Sequence, residues 1–396
     1  MPPHSAEPGE RRRGVEAQAA PAPAPAQPPP AARSLGIDVA RGLAVVLMIQ
    51  THAYDGWVAP AHKASFGYRL SRVFASVPAP LFLLLAGVGL ALGAAAMQRR
   101  GAADPSVVRR ALLGRALRIV GYGYALSGAY ALIEGRFDAA TLLRADILHA
   151  IGLSLSACTL LLVGVPPQRL VARVGLLVAG ALALGVLVPR VLPPLPAVLR
   201  PLAALLVDVA PYTRFPLLPL CGFTAVGYFV GACALPGRPR RALLLSLGLI
   251  ASVPLWQLLT AETLRLLGGA LSRRHPAVVW NFCEGTARAL AALYGAAALT
   301  ALAARASVDT DTATDTDRAP RGLGWLVRLG RGSLLAYALH VPLCYGRLAA
   351  PFAGKLEMAT ATPLVTGLIG LVWLCLWLRD RAQKARRRGA RSVATR

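Results

Sequence analysis

Between Gly36 and Trp57 the sequence reads GIDVARGLAVVLMIQTHAYDGW, and Asp38, Arg41, Val45, Met48, His52 and Asp55 follow one another at steps of three or four. On a helix those steps form one stripe, with leucines and valines covering the other faces. Arg41 and His52 are eleven positions apart, almost a whole number of turns, which separates their backbones by about 16 Å along the axis. A guanidinium is a fork for phosphate oxygens; an imidazole can take up and return a proton near neutral pH. Two readings of the stripe fit. Asp38 and Arg41 could be an intrahelical pair near the headgroups with His52 capping the far end, or the stripe could line a polar cavity, where ionisable groups inside a bilayer normally face.

The elements that must carry these groups are apolar. Of 396 residues, 56% are hydrophobic and 15% charged, and the mean hydropathy is +0.54. That is the composition of a polytopic membrane protein. A net charge of +25 raises the question of nucleic acid, but the basic residues punctuate apolar runs and crowd the tails, so no nucleic-acid partner is expected. Runs long enough to span a bilayer fall at about 35–53, 73–97, 111–133, 147–165, 170–192, 215–235, 242–260, 277–304, 326–348 and 363–378. The expected fold is all-α, with about ten transmembrane helices in a single domain over 34–379. Residues 193–214 hold an apolar stretch too short to cross, bracketed by prolines.

Residues 1–33 are Pro- and Ala-rich and read as a disordered tail, the Asp/Thr-rich loop within 305–322 reads as disordered, and 380–396 as a basic tail. An even helix count puts both tails on one side, and their Lys/Arg excess favours the cytoplasm, hence a multi-pass protein of the cytoplasmic (inner) membrane. Arg41, Arg115 and Arg118 then lie toward the cytoplasmic side. His52, Asp55, His62, Asp146, His149, Arg214, Asn281, Glu284 and His340 lie toward the other. Such segregation suits a phosphate-bearing donor inside and proton transfer on an acceptor outside. The six cysteines show no CxxC spacing and read as core residues, with no metal implied.

The run RGLAVVLMIQTHAYD resembles the first helix of the heparan-α-glucosaminide N-acetyltransferase-like family, within the larger group of transmembrane acyltransferases. Further blocks agree in order: Arg72 followed by VFASVPAPLFLLLAGVGLAL, RALRIVGYGY from Arg115, ADILHAIGLSL from Ala145, RFPLLPLCGFTAVGYFVG from Arg214, and LGRGSLLAYALH ending at His340. The block from Phe215 departs from the family pattern by carrying Leu220 and Cys221 where Trp is expected. The loop His of animal members has only His62 as a rough counterpart.

The resemblance implies an acyl-CoA-dependent O- or N-acyltransferase. It would move an acyl group, expected to be acetyl, from cytosolic acetyl-CoA to a saccharide or glycan across the membrane. Its partners are then lipid, acyl-CoA and the saccharide; a homodimer is compatible with this. Coenzyme A brings phosphates that need arginine forks, for which Arg41, Arg115 and Arg118 are the candidates. The acceptor needs a base, and in the wider group a His at the position of His52 is held to be catalytic. Asp55, one turn away, would fix its tautomer, so His52 and Asp55 are the expected reacting pair. Direct attack and a transient acyl-histidine both remain open. His62, His149, Arg214, Asn281, Glu284 and His340 are candidate acceptor contacts, each with a structural alternative: a loop residue, a polar helix end or an interhelical hydrogen bond. The rival class is an ion-coupled secondary transporter or exporter of a small solute, since intramembrane Asp, Arg and His also mark ion pathways. A silent scaffold or sensor is a third.

Overall fold

The computed structural model describes residues 35–101, 104–191, 195–233, 239–266, 275–308 and 322–394. The expected tail at 1–33 and most of the Asp/Thr-rich loop lie outside the described residues. Fourteen α-helices follow in order: α1 Leu35–Trp57, α2 Phe66–Ala75, α3 Pro78–Arg99, α4 Pro105–Glu134, α5 Ala139–Leu142, α6 Ile147–Leu162, α7 Pro167–Val191, α8 Arg200–Leu206, α9 Leu217–Ala232, α10 Pro239–Leu266, α11 His275–Val308, α12 Gly324–Arg331, α13 Ser333–Cys344 and α14 Met358–Ala394. The architecture is all-α and polytopic. Among the described residues six stretches are long and apolar enough to cross a membrane: Leu35–Trp57, Phe66–Arg99, Pro167–Val188, Pro239–Leu259, Val278–Arg305 and Met358–Arg386. Shorter apolar helices stand at Ile147–Leu162, Ala197–Leu206, Leu217–Ala232 and Ser333–Cys344.

The structure departs from the expected spans at three places, the first with a local cause. The run at 73–97 breaks after Ala75, because Pro78 and Pro80 suit the first turn of a new helix and lack the N–H that would continue the old one. Arg288 of α11 fills the break by donating to the Val73 carbonyl (2.6 Å) and to the Ser76 hydroxyl. The run at 326–348 breaks at Gly332, separating α12 from α13. The last helix continues well past 378, into the stretch expected to be a basic tail.

α2 carries Phe66, Leu70, Val73 and Phe74 outward, 45–75% exposed, at the spacing of a single helical face. Such a stripe suits a helix lying along a bilayer surface.

α1 is the hub, in contact with α2, α3, α11, α12, α13 and α14. One side of it packs Val45, Ile49, Tyr54 and Trp57 against Ala336, Cys344, Val365, Leu368 and Val372. The other packs Ile37, Val39, Ala40 and Ala44 against Leu81, Leu84, Leu85, Val88 and Leu293. Two backbone crossings let α1 approach so closely. A Cβ on Gly42 would collide with the Leu326 carbonyl, and one on Gly56 with the Cys344 carbonyl. Two isolated parallel bridges, Val58 with Leu356 and Ala145 with Thr213, tie linkers together.

Candidate functional site

His52 and His340 meet across the α1–α13 interface. Nδ1 of His52 lies 2.9 Å from Nε2 of His340, and the rings stack with centroids 5.1 Å apart at 15°. Nδ1 of His340 lies 2.9 Å from the Ala336 carbonyl one turn earlier. A carbonyl oxygen can only accept, so the proton of neutral His340 sits on its Nδ1 and leaves Nε2 as an acceptor. His52 must then donate from Nδ1. Its own Nε2 is left with the lone pair, which is the state a proton acceptor needs. His340 is fully buried, while His52 is only partly so.

Tyr345 closes over this pair, its ring centroid 5.5 Å from that of His52. α13 reaches that point because Pro342 sits inside its last turns. Proline has no N–H for the Ala338 carbonyl, and the Tyr130 hydroxyl of α4 donates to that carbonyl instead, at 3.3 Å.

No hydrogen bond among the described residues joins Asp55 to His52, the partner that helical spacing gives it. Its carboxylate accepts from Tyr68 and Tyr345 hydroxyls, each at 3.4 Å, and lies 3.7 Å from Lys63. In the last turn of α1 the side chain turns to these groups, while Nδ1 of His52 meets His340. The Asp55 charge still reaches the His52 ring, as do those of Asp146 and Arg214.

Asp146 ties a second strand of the network together. It caps α6 by accepting from the Ile147 amide at 2.7 Å, while its own amide donates to Nδ1 of His149 at 3.1 Å. Its other oxygen accepts from the Tyr337 hydroxyl at 2.8 Å, and the Tyr337 ring stands edge-on to His340, 5.8 Å away. Because Nδ1 of His149 accepts, its proton is on Nε2. That atom is buried without a hydrogen-bond partner among the described residues, against Gly123 and edge-on to Tyr124.

On the far side of Tyr345 lies a cavity of about 230 Å³, lined by Tyr130, Glu134, Arg136, Arg144, Arg214 and Tyr345 among others. Arg214, a sequence candidate, shares that cavity with Tyr345, whose ring lies against His52. Arg144 and Arg136 were missed. The bridge that brings Arg144 to Arg214 joins two linkers far apart in the chain, and local spacing carries no trace of it.

The remaining candidates fall elsewhere. His62 lies 3.7 Å from Glu357. Glu284 pairs with Arg288 at 2.5 Å and accepts from Gln257 at 3.1 Å. Asn281 is exposed on α11. No hydrogen bond or ion pair among the described residues joins these three to the histidine pair.

At the opposite end of α1, Asp38 is buried, 2% exposed. It accepts from Arg41 at 3.3 Å and Arg331 at 2.9 Å. Arg115 and Arg118 are exposed on α4. Another cavity of about 550 Å³ opens between α12 and α14, lined by Arg328, Trp377, Asp380, Arg381 and Lys384. The Arg381 guanidinium stacks on Trp377 at 4.1 Å. Its basic residues sat in what the sequence offered as span ends and tail. Among the described residues no group of three or more His, Cys, Asp or Glu is placed to hold a metal ion.

No curated protein matches the chain, and no solved structure does. Residues 33–265 match the family model described as heparan-alpha-glucosaminide N-acetyltransferase, catalytic. The matched stretch includes His52, Asp146, His149 and Arg214, whereas His340 and Tyr345 lie beyond it. Since it covers more than half of the chain, the protein belongs to the heparan-alpha-glucosaminide N-acetyltransferase catalytic family, a family of membrane acetyltransferases.

Proposed function

We propose that the protein transfers an acetyl group from cytosolic acetyl-CoA to a hydroxyl or amine of a saccharide on the far side of the cytoplasmic membrane, with Nε2 of His52 as the base. The observation that carries this reading is the hydrogen-bond chain from His52 through His340 to the Ala336 carbonyl. It leaves one imidazole nitrogen with a free lone pair on a partly exposed ring.

In this reading the acceptor oxygen or nitrogen attacks the thioester carbonyl as Nε2 of His52 takes its proton. The tetrahedral intermediate then collapses, the C–S bond breaks, and the departing thiolate takes the proton back from the imidazolium. A positioned base of this kind contributes about 10²–10⁴-fold. His340 keeps the ring in the tautomer that can accept, the part an aspartate plays in a Ser-His-Asp triad.

The donor would enter from the end of α1 that carries Asp38, Arg41 and Arg331. Arg328, Arg381 and Lys384 supply cations for its phosphates and Trp377 a ring for its base. The tails at 1–33 and 380–396 would share that cytoplasmic side. Arg115 and Arg118, exposed on α4, have less support as phosphate ligands.

The test is the full chain reconstituted in vesicles with acetyl-labelled CoA inside and saccharides outside. Label should appear on the saccharide with release of CoA thiol, and His52→Ala should remove it in protein that still inserts. Uptake of an intact solute without thiol release would replace this reading with transport.

A further inference from the structure

The short helix α2 has two faces of different chemistry. Phe66, Leu70, Val73 and Phe74 form the outward one, while Tyr68 and Ser71, three positions apart on the opposite one, are buried. Arg69 and Arg72, also three apart, stand together on the border between the faces, and both are exposed. Neither guanidinium has an ion pair among the described residues. The acids of the neighbouring linkers are committed elsewhere: Asp55 to Tyr68, Tyr345 and Lys63, Glu357 to His62.

The buried face ties α2 to the end of α1 that carries His52. Ser65 caps α2 by accepting the Tyr68 amide at 3.4 Å, and the Tyr68 hydroxyl donates to Asp55 at 3.4 Å. Lys63 stands over the Tyr68 ring, 5.7 Å from its centroid, and donates to the Asp55 carbonyl at 2.8 Å. Tyr345, whose ring lies 5.5 Å from that of His52, donates to the other oxygen of the same carboxylate. The depth of α2 follows from its neighbours. α1 ends at Trp57, and a Cβ on Gly67 would meet the side chain of Met358, the residue that opens α14, at 3.6 Å. The start of α2 therefore lies where two spans reach their ends, at the level of lipid headgroups.

We propose that α2 binds an anionic phospholipid of the leaflet at the His52 end of α1: Phe66, Leu70, Val73 and Phe74 enter the acyl boundary, Arg69 and Arg72 clasp the headgroup phosphate, and the seated helix holds Tyr68 on Asp55. The lipid site stands by itself; its influence on the Asp55 and Tyr345 contacts bears on activity only through the reaction proposed above. An apolar stripe edged by cations is the pattern of an interfacial helix, and two guanidinium forks match phosphate oxygens. Ten residues are too few to hold a helix by propensity alone, so the seating of α2 depends on what covers its outward face. A dissolved acid would satisfy the arginines and leave the four apolar side chains in water. A second copy of the chain, with its own net charge of +25, would bring more cations to Arg69 and Arg72. An anionic lipid satisfies both halves of the face.

The experiment uses the full chain in nanodiscs of phosphatidylcholine alone and of phosphatidylcholine with phosphatidylglycerol. Amide hydrogen exchange over 66–75 reads the seating of α2 independently of turnover, and acetyl transfer is measured in parallel. Exchange should be about 10- to 30-fold slower with the anionic lipid, the worth of two arginines at a charged surface. Arg69→Gln with Arg72→Gln should remove that difference, and Arg69→Lys with Arg72→Lys should keep most of it, which separates lost charge from lost fold. Tyr68→Phe should keep the protection while acetyl transfer stops responding to the lipid. Equal exchange in the two compositions, or a response that survives the loss of both arginines, overturns the proposal. So does protection in neutral discs by dissolved glycerol 1-phosphate, which would give the arginines to a free phosphate, or protection confined to discs that hold two copies. Acetyl transfer by the unmutated chain that ignores the lipid would overturn the link through Tyr68. Charge-dependent protection in a chain that transfers no acetyl would keep the lipid site and sink the reaction.

Discussion

Nδ1 of His52 and Nε2 of His340 stand 2.9 Å apart although 288 positions separate them in the chain. The contact joins the first helix of the described chain to α13 through two stacked imidazoles. His340 donates to a backbone carbonyl that cannot turn round, so its tautomer, and with it that of His52, is set by the fold.

His340→Ala should therefore lower kcat for acetyl transfer by about 10²-fold, against about 10³-fold for His52→Ala, with the KM for acetyl-CoA little changed. His340→Gln, whose amide oxygen can still accept from Nδ1 of His52, should recover part of the loss. Steady-state kinetics on the three variants checks the order.

Asp55→Asn should cost much less than His340→Ala, within about tenfold in kcat. Its carboxylate is engaged by Tyr68, Tyr345 and Lys63, none of which is a route to the His52 proton. A loss equal to that of His340→Ala would return Asp55 to the place the helical spacing suggested.

Asp38→Ala leaves Arg41 and Arg331 without their shared anion at the α1–α12 contact. Removing one member of a buried ion pair costs about 3–5 kcal/mol; both arginines are about a third exposed, so a loss of about 2–3 kcal/mol is expected. Asp38→Ala with Arg331→Gln should be less destabilised than the sum of the single changes. Unfolding in detergent, read as a double-mutant cycle, measures this.

Gly42→Val should abolish folding of the helical domain, because its Cβ position is already filled by the Leu326 backbone. Gly89→Ala, where no atom lies within 4 Å of the new methyl, should leave the thermal midpoint unchanged or slightly raised. Expression level and thermal midpoint of the two variants make the comparison.

The stripe on α1 was legible in the sequence because period and polarity coincide there: Asp38, Arg41 and His52 all lie on α1, whose two ends are chemically different. The family was legible through blocks in shared order. What sequence could not supply was pairing at a distance. Asp55 was the nearest carboxylate by helical arithmetic, yet a last-turn side chain obeys whichever loops fold over it, here those bringing Tyr68 and Tyr345. His340 was visible as a polar residue on a face with Tyr337, but only the crossing of α1 with α13 says that it addresses His52. Arg144 escaped notice altogether, since its meaning comes from a bridge to a linker some seventy residues on. The short helices α12 and α13 were read as one span because the glycine between them is no obstacle to hydropathy.

The two bridges have a mechanical corollary. Ala145 with Thr213, and Val58 with Leu356, stitch four linkers by main-chain bonds at the end of the molecule where His52 lies. Displacing any one of those linkers would tear peptide groups from their mates. The Tyr345 ring that lies against His52, by contrast, is fastened by its hydroxyl to the Asp55 side chain and not by the main chain.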